Sequence, residues 1–267
     1  MTSAARIDSP SIAEPAVQLL SPDQQDHYAR HGWCAAPGFY SPDEMAQISA
    51  WTDELNARPE APGGQMVYAE PSLTDASARL IQRIENFCPF HPGFDALVHG
   101  RLKAAVEALS GAPAVMFKDK INFKMAGGAG FEPHQDQQAG WSRYAPIFVT
   151  ALVCIDPATL ENGCLEMADA PRFAGLIGEE WAPLTPQQMA GFALVAVPSE
   201  PGDVLFFDSY APHASKPNRT ASARRILYLT YNDAAHGDHR ARYFAEKRAN
   251  FPPDVERAPG VDYRFRV

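Results

Sequence analysis

Cysteine is scarce in this chain of 267 residues. Only Cys34, Cys88, Cys154 and Cys164 occur, and no two form a C-x-x-C pair. That spacing argues against a zinc ribbon or a disulfide framework, and the ordinary reading is four buried thiols in a reducing cytoplasm. Any metal must then be held by histidine and carboxylate. Long apolar runs are missing too. A stretch such as Ile147–Ile155 falls well short of the ~20 residues that cross a bilayer. Basic charge is in deficit: Lys plus Arg is 23, Asp plus Glu is 32, and the net charge is −9. A general nucleic-acid or anionic-membrane partner would need a basic surface, so neither is expected. Met1–Pro15 carries one Arg and no apolar core, so a secretory signal is not expected and a cytoplasmic location is. What remains is a soluble globule with 46% hydrophobic and 21% charged residues, long enough for one large domain.

Punctuation organises the chain. Residues 1–20 lack any period and read as a mobile tail. Ser21-Pro22-Asp23-Gln24 and Ser41-Pro42-Asp43-Glu44 are capping boxes with proline at the first helical position. They predict helices over 22–30 and 42–57, with a short strand from Gly32 to Pro37 between them. Another helix is predicted from Pro92 to Leu109, ended by Gly111 and Pro113. Beyond Pro113 the texture becomes short strand-like runs between Gly, Pro and Asn clusters: 114–124, 130–136, 148–156, 164–167, 193–197, 202–207 and 225–231. Helices followed by many short strands predict an α+β fold built on a sandwich or barrel. A last helix is predicted over 238–248. The Ala126–Gly130 turn lacks the Lys-Ser/Thr of a phosphate loop.

The chemistry gathers at His134-Gln135-Asp136. Residues two apart on a strand share a face, so His134 and Asp136 can offer an imidazole nitrogen and a carboxylate oxygen to one point. His213 follows 79 residues later, just after the apolar run 203–207. Two histidines and a carboxylate form the facial triad of non-haem Fe(II) oxygenases, which leaves coordination positions open for co-substrate and dioxygen. His236-Gly237-Asp238 also matches H-x-D, but it sits in a polar turn with no distal histidine after a strand.

The surroundings of His213 carry a resemblance. His134-Gln135-Asp136, Asn162-Gly163-Cys164-Leu165, Gly202-Asp203 with its apolar strand, His213-Ala214-Ser215, and Arg224 eleven residues past His213 together resemble the phytanoyl-CoA dioxygenase family of Fe(II)/2-oxoglutarate oxygenases. The resemblance covers roughly 21–232. It implies a double-stranded β-helix (a cupin-like jelly roll) over 113–232, a mainly helical flank over 21–112 and a C-terminal extension over 233–267, all in one oxygenase domain. It implies Fe(II) on His134, Asp136 and His213, with 2-oxoglutarate and O2 as co-substrates. The far carboxylate of 2-oxoglutarate would be held by Arg224 and Ser215. Arg225 sits beside Arg224, and on a strand only one of the two can face inward. The chain departs from the family at Met167–Arg172, where a PGSH-like turn is common, and at Leu152, where some members carry an aromatic.

The strand 114–124 adds a polar face: Met116, Lys118, Lys120, Asn122 and Lys124, against Phe117, Ile121 and Phe123 on the other, with Asp119 out of pattern. Such a face is either solvent-exposed or lines a pocket. By the resemblance this strand serves both pockets, with Met116 and Lys118 on the co-substrate side and Lys120 and Asn122 on the substrate side. Three lysines favour an anionic or zwitterionic small molecule. Looser similarity to the family's 2-aminoethylphosphonate dioxygenases, at residues 83–87, 120–124, 140–141 and 243–248, implies hydroxylation of the carbon next to phosphorus. Glu70 and Glu85 are then candidates for the substrate's amine. The alternatives are a hydroxylase of an amino acid or natural-product intermediate, and a non-catalytic β-sandwich binding protein.

Overall fold

A computed structural model describes residues 19–75 and 77–263, so all but Leu19 and Leu20 of the expected tail lies outside the described residues. Leu20 itself is buried in the core. Helices α1 (Pro22–His31) and α2 (Pro42–Ala57) both start at complete capping boxes. Ser21 N–H donates to Gln24 Oε1 at 2.7 Å while Ser21 Oγ accepts from Gln24 N–H at 3.2 Å. Strand β1 (Trp33–Ala36) lies between them.

The flank expected to be mainly helical then yields a hairpin, β2 (Met66–Pro71) and β3 (Arg79–Glu85). Its residues extend the sheet because Val67 and Ile84 bury against the core while Arg83 and Glu85 register with Asn122 and Lys120. Long-range pairing outweighs the local pattern here. The single helix predicted over 92–109 is two, α3 (Pro92–Val98) and α4 (Arg101–Ser110). Gly100, at φ −85° and ψ −146°, leaves the helical region and starts the second.

The remaining elements are β4 (Ala114–Lys124), β5 (Phe131–His134), β6 (Phe148–Cys154), β7 (Leu165–Asp169), β8 (Ala193–Val197), β9 (Val204–Asp208), β10 (His213–Ser215), β11 (Arg224–Asp233) and α5 (Arg240–Asn250). They form two antiparallel sheets, β1-β9-β6-β11-β4-β3-β2 and β5-β10-β7-β8, giving the α+β double-stranded β-helix. No helix among the described residues is long and apolar enough to cross a membrane. All four cysteines are buried and unbridged.

Strand alternation sorts the seven-stranded sheet into two faces. Val149, Ala151, Val153, Phe206, Leu227, Leu229, Ile121 and Phe123 pack under the helices with Ile48, Leu55, Leu102 and Val106. Leu152, Cys154, Leu205, Phe207, Ile226 and Tyr228 point the other way and meet Leu165 and Met167 of the smaller sheet. Across β4 and β11, Ile226 stands opposite Asn122, Tyr228 opposite Lys120, and Arg224 opposite Lys124. The polar even positions of β4 therefore enter the space between the sheets, not solvent.

A bulge interrupts this order. Thr230 pairs with Lys118 but Tyr231 with Met116, leaving Phe117 as the extra residue. Met116 is thereby turned to the helix side, buried among Ala114, Val149 and Tyr231, away from the site where the sequence reading put it. Phe117 takes the inner side, against Trp141, Tyr144, Phe148 and Tyr243. Asp119, the odd polar residue of the core face, accepts from Phe87 N–H at 2.7 Å and Cys88 N–H at 2.9 Å and pairs with Arg240 of α5.

Candidate metal centre

His134 ends β5 and Asp136 opens a one-turn 3-10 helix, Asp136–Ala139. The predicted strand through 136 is thus shorter. Gln135 between them is still extended, at φ −107° and ψ 132°, so the two side chains converge as alternation requires. β10 sets His213 directly opposite His134 on β5 and Met167 on β7. His134 Nε2 and His213 Nε2 lie 3.8 and 3.9 Å from Asp136 Oδ1, and one ligand atom from each residue falls within 4.8 Å of the others. Among the described residues this is the one such group, and His236 and Asp238 form none.

The outer nitrogen of each ring is committed. His134 Nδ1–H donates to Glu132 O at 2.7 Å and His213 Nδ1–H to Ala211 O at 3.0 Å. That fixes both tautomers with the Nε2 lone pair facing Asp136, the arrangement metal-ligating histidines use. Burial, with the adjacent His213, holds the His134 pKa down to about 4, so the ring is neutral at pH 7. Burial works against ionisation of Asp136, but His213, Lys120 and His134 outweigh it and hold the carboxyl below its usual range. Two imidazoles that turn Nε2 toward one carboxylate, clustered on one side of a point, fit a divalent metal with open positions.

Two recesses flank this cluster. The inner one is walled by Asn122, Lys120, Tyr228, Leu165 and Ser215, with His213 and Asp136 at its mouth. Opposite Lys124 on β11, Arg224 is almost wholly buried, and its Nε and Nη1 have no hydrogen-bond partner among the described residues. A buried guanidinium left unsatisfied is costly, and a carboxylate would complete it as a bidentate pair. Arg225 faces away and is spent on Asp156, Asp53 and Ser49. Lys124, one of the three lysines of the polar face of β4, donates from Nζ to Ser215 Oγ at 2.7 Å and to Gly163 O at 3.3 Å. Burial and the nearby Arg224 push its pKa down to about 7.

The outer cavity, about 400 Å³, also has His134 and Asp136 in its wall. Its floor is cationic. Glu85, fully buried, pairs with Arg83 Nε at 2.9 Å, with Lys247 and, at 3.8 Å, with Lys118. Burial disfavours its charge, but the three cations prevail and hold its carboxyl well below the carboxylate range. Lys120 borders both recesses, stacked 4.3 Å from the Tyr228 ring. Burial, with the nearby Lys118, lowers its pKa to about 8.

On β4, Lys118 lines the outer cavity and Asn122 the inner. Glu70 lines neither. It accepts from Gln82 at 2.9 Å and Ala129 N–H at 3.3 Å, and so secures the glycine-rich turn. Arg83 and Lys247 come from β3 and α5, in segments that carry only the looser resemblance, and their meeting at Glu85 is set by long-range folding.

Comparison with known proteins agrees with this geometry. The family model "Phytanoyl-CoA dioxygenase (PhyH)" matches residues 28–226. A 2-aminoethylphosphonate dioxygenase of the uncultured bacterium HF130_AEPn_1 is 38% identical over 254 residues, 92% of this chain and 95% of that one. A methylphosphonate hydroxylase of Gimesia maris is 37% identical over 234 residues, 87% of this chain and 88% of that one. Among solved structures, EctD from S. alaskensis in its apoform superposes with a TM-score of 0.69 at 22% identity, covering 86% of this chain and 84% of its own.

Proposed function

The chain belongs to the phytanoyl-CoA dioxygenase family and is a dioxygenase, and from that premise we propose that it hydroxylates a small phosphonate, using Fe(II) and 2-oxoglutarate. The observation that carries the substrate reading is the outer cavity floor. Three cations converge there on one carboxylate, Lys120 lies beside them, and the same cavity opens on His134 and Asp136. Arg83, Lys118 and Lys120 line the cavity against Glu85 and leave a surplus of positive charge on its floor. A phosphonate dianion would neutralise it.

Iron, 2-oxoglutarate and dioxygen supply the oxidation: one oxygen atom ends in succinate, the other in the substrate's C–H bond, and CO2 is lost. The protein's own residues bind and orient. His134, Asp136 and His213 would hold the metal from one side, their tautomers set by Glu132 O and Ala211 O. Arg224 would clamp the far carboxylate of 2-oxoglutarate, with Ser215 and Lys124 beside it. Charge-assisted hydrogen bonds of this kind contribute about 1.5–3 kcal/mol each. The cationic floor would draw the phosphonate down, leaving the carbon next to phosphorus toward the metal. Phe131 and Trp141 add apolar surface to the wall.

A substrate panel scored by succinate release tests this. Phosphonates should stimulate release, and His134→Ala should abolish it. Stimulation by a carboxylate substrate but by no phosphonate would overturn the reading.

A further inference from the structure

We infer that Glu132, on the rim of the outer cavity, reads the ammonium group of an aminoalkyl phosphonate and thereby selects zwitterionic over plain alkyl phosphonates. This rests on the phosphonate reading above and adds the class of phosphonate to it.

The ammonium end of a zwitterionic substrate is held best by a negative or π-electron partner. Three carboxylates line the cavity: Asp136, Glu85 and Glu132. Asp136 belongs to the metal cluster. Glu85 is buried under Arg83, Lys118 and Lys247, so the sequence-based assignment of Glu85 to the amine is not supported. The aromatic faces are occupied as well. Arg83 lies 4.6 Å and Lys247 5.3 Å from the Tyr68 ring, Lys118 is 5.5 Å from Trp141, and Arg257 is 4.6 Å from Phe251. Each of these rings already faces a protein cation.

Glu132 differs from all of these. Its side chain is exposed, it lines the cavity, and its carboxylate takes part in no ion pair among the described residues. Its backbone carbonyl is the acceptor that orients His134, which fixes the residue beside the metal. The cavity is thus polarised, with cations on the β3–β4 floor, the metal ligands in the wall and one carboxylate at the rim. A molecule with phosphonate at one end and ammonium at the other matches that order, its carbon next to phosphorus nearest His134.

The experiment compares kcat/KM for 2-aminoethylphosphonate and ethylphosphonate in the wild type, Glu132→Gln and Glu132→Lys. Wild type should prefer the amino substrate. Glu132→Gln should lower the ratio of the two kcat/KM values about tenfold, chiefly through KM, and Glu132→Lys should invert the preference. An equal loss on both substrates, or an unaltered ratio, overturns the inference, as does a wild type that turns over ethylphosphonate but not the amino compound. Wild-type turnover of no phosphonate at all would instead sink the phosphonate reading, and this inference with it. Thermal unfolding of each variant with Fe(II) and 2-oxoglutarate separates a lost contact from a lost fold.

Discussion

Arg224 and Lys124 stand opposite each other on adjacent strands, yet only the arginine was legible in the sequence. Its distance from His213 is a fixed interval along one chain segment. Lys124 gains its role by reaching Ser215 across the space between the sheets. The same limit applies to Arg83 and Lys247, whose meeting at Glu85 depends on β3 and α5 arriving from opposite ends of the chain. The two recesses give the lysines of β4 separable duties. Lys118→Met should raise KM for the phosphonate roughly 10- to 100-fold, the value of one lost charge-assisted hydrogen bond, with little effect on KM for 2-oxoglutarate. Lys124→Met should do the reverse. Steady-state kinetics with each substrate varied in turn checks both, and a common effect on the two KM values would merge the recesses into one.

Among the elements, the most legible were those with local punctuation. Both capping boxes were predicted and both start helices where expected. Alternation along β4 put Lys120, Asn122 and Lys124 on one face, with its direction left open, but failed at Met116, because a bulge is set by pairing with β11 and leaves no mark in the strand's own pattern. The β2–β3 hairpin was missed for a like reason: its strands are held by the sheet edge they join. One turn is built more tightly than its motif suggests. Gly163 sits at φ +73°, and a Cβ there would lie 2.0 Å from Lys216 O. That approach seats the Gly163 carbonyl on Lys124. Gly163→Ala should therefore force the turn and the Lys216 backbone apart and raise KM for 2-oxoglutarate about tenfold or more, with a smaller effect on the phosphonate. Equal kinetics in variant and wild type would contradict this role for the turn.

At the level of the whole molecule, a chain with net charge −9 concentrates positive charge inside itself. The acidic average speaks to its surface and its partners, whereas Arg83 of β3 and Lys118 and Lys120 of β4 line the interior recesses and Arg224 of β11 and Lys247 of α5 are buried. Glu85 makes this tolerable by lying among three of them. Removing it should cost roughly 3–5 kcal/mol at pH 7, the usual result of leaving buried charges unpaired. The pH dependence follows from the direction of its shift. A depressed carboxyl contributes stability that is fully present above its ordinary range, near pH 4.5, and is lost as pH falls through its lower folded value. The gap between Glu85→Gln and wild type should therefore stay constant from pH 7 to about 5 and close only in stronger acid. Denaturant melts across that range measure it, and a gap that narrows already between pH 7 and 6 would rule Glu85 out as its source.

The central claim is that a metal held by one cluster, His134, Asp136 and His213, oxidises a phosphonate lying on the Glu85 cation floor. Phosphorus NMR of a reaction containing enzyme, Fe(II), 2-oxoglutarate, oxygen and 2-aminoethylphosphonate tests it most directly, with succinate counted in the same sample. The account predicts one phosphonate hydroxylated next to phosphorus for each succinate formed. Succinate without a new phosphorus resonance, or a resonance from cleavage of the C–P bond, would contradict it.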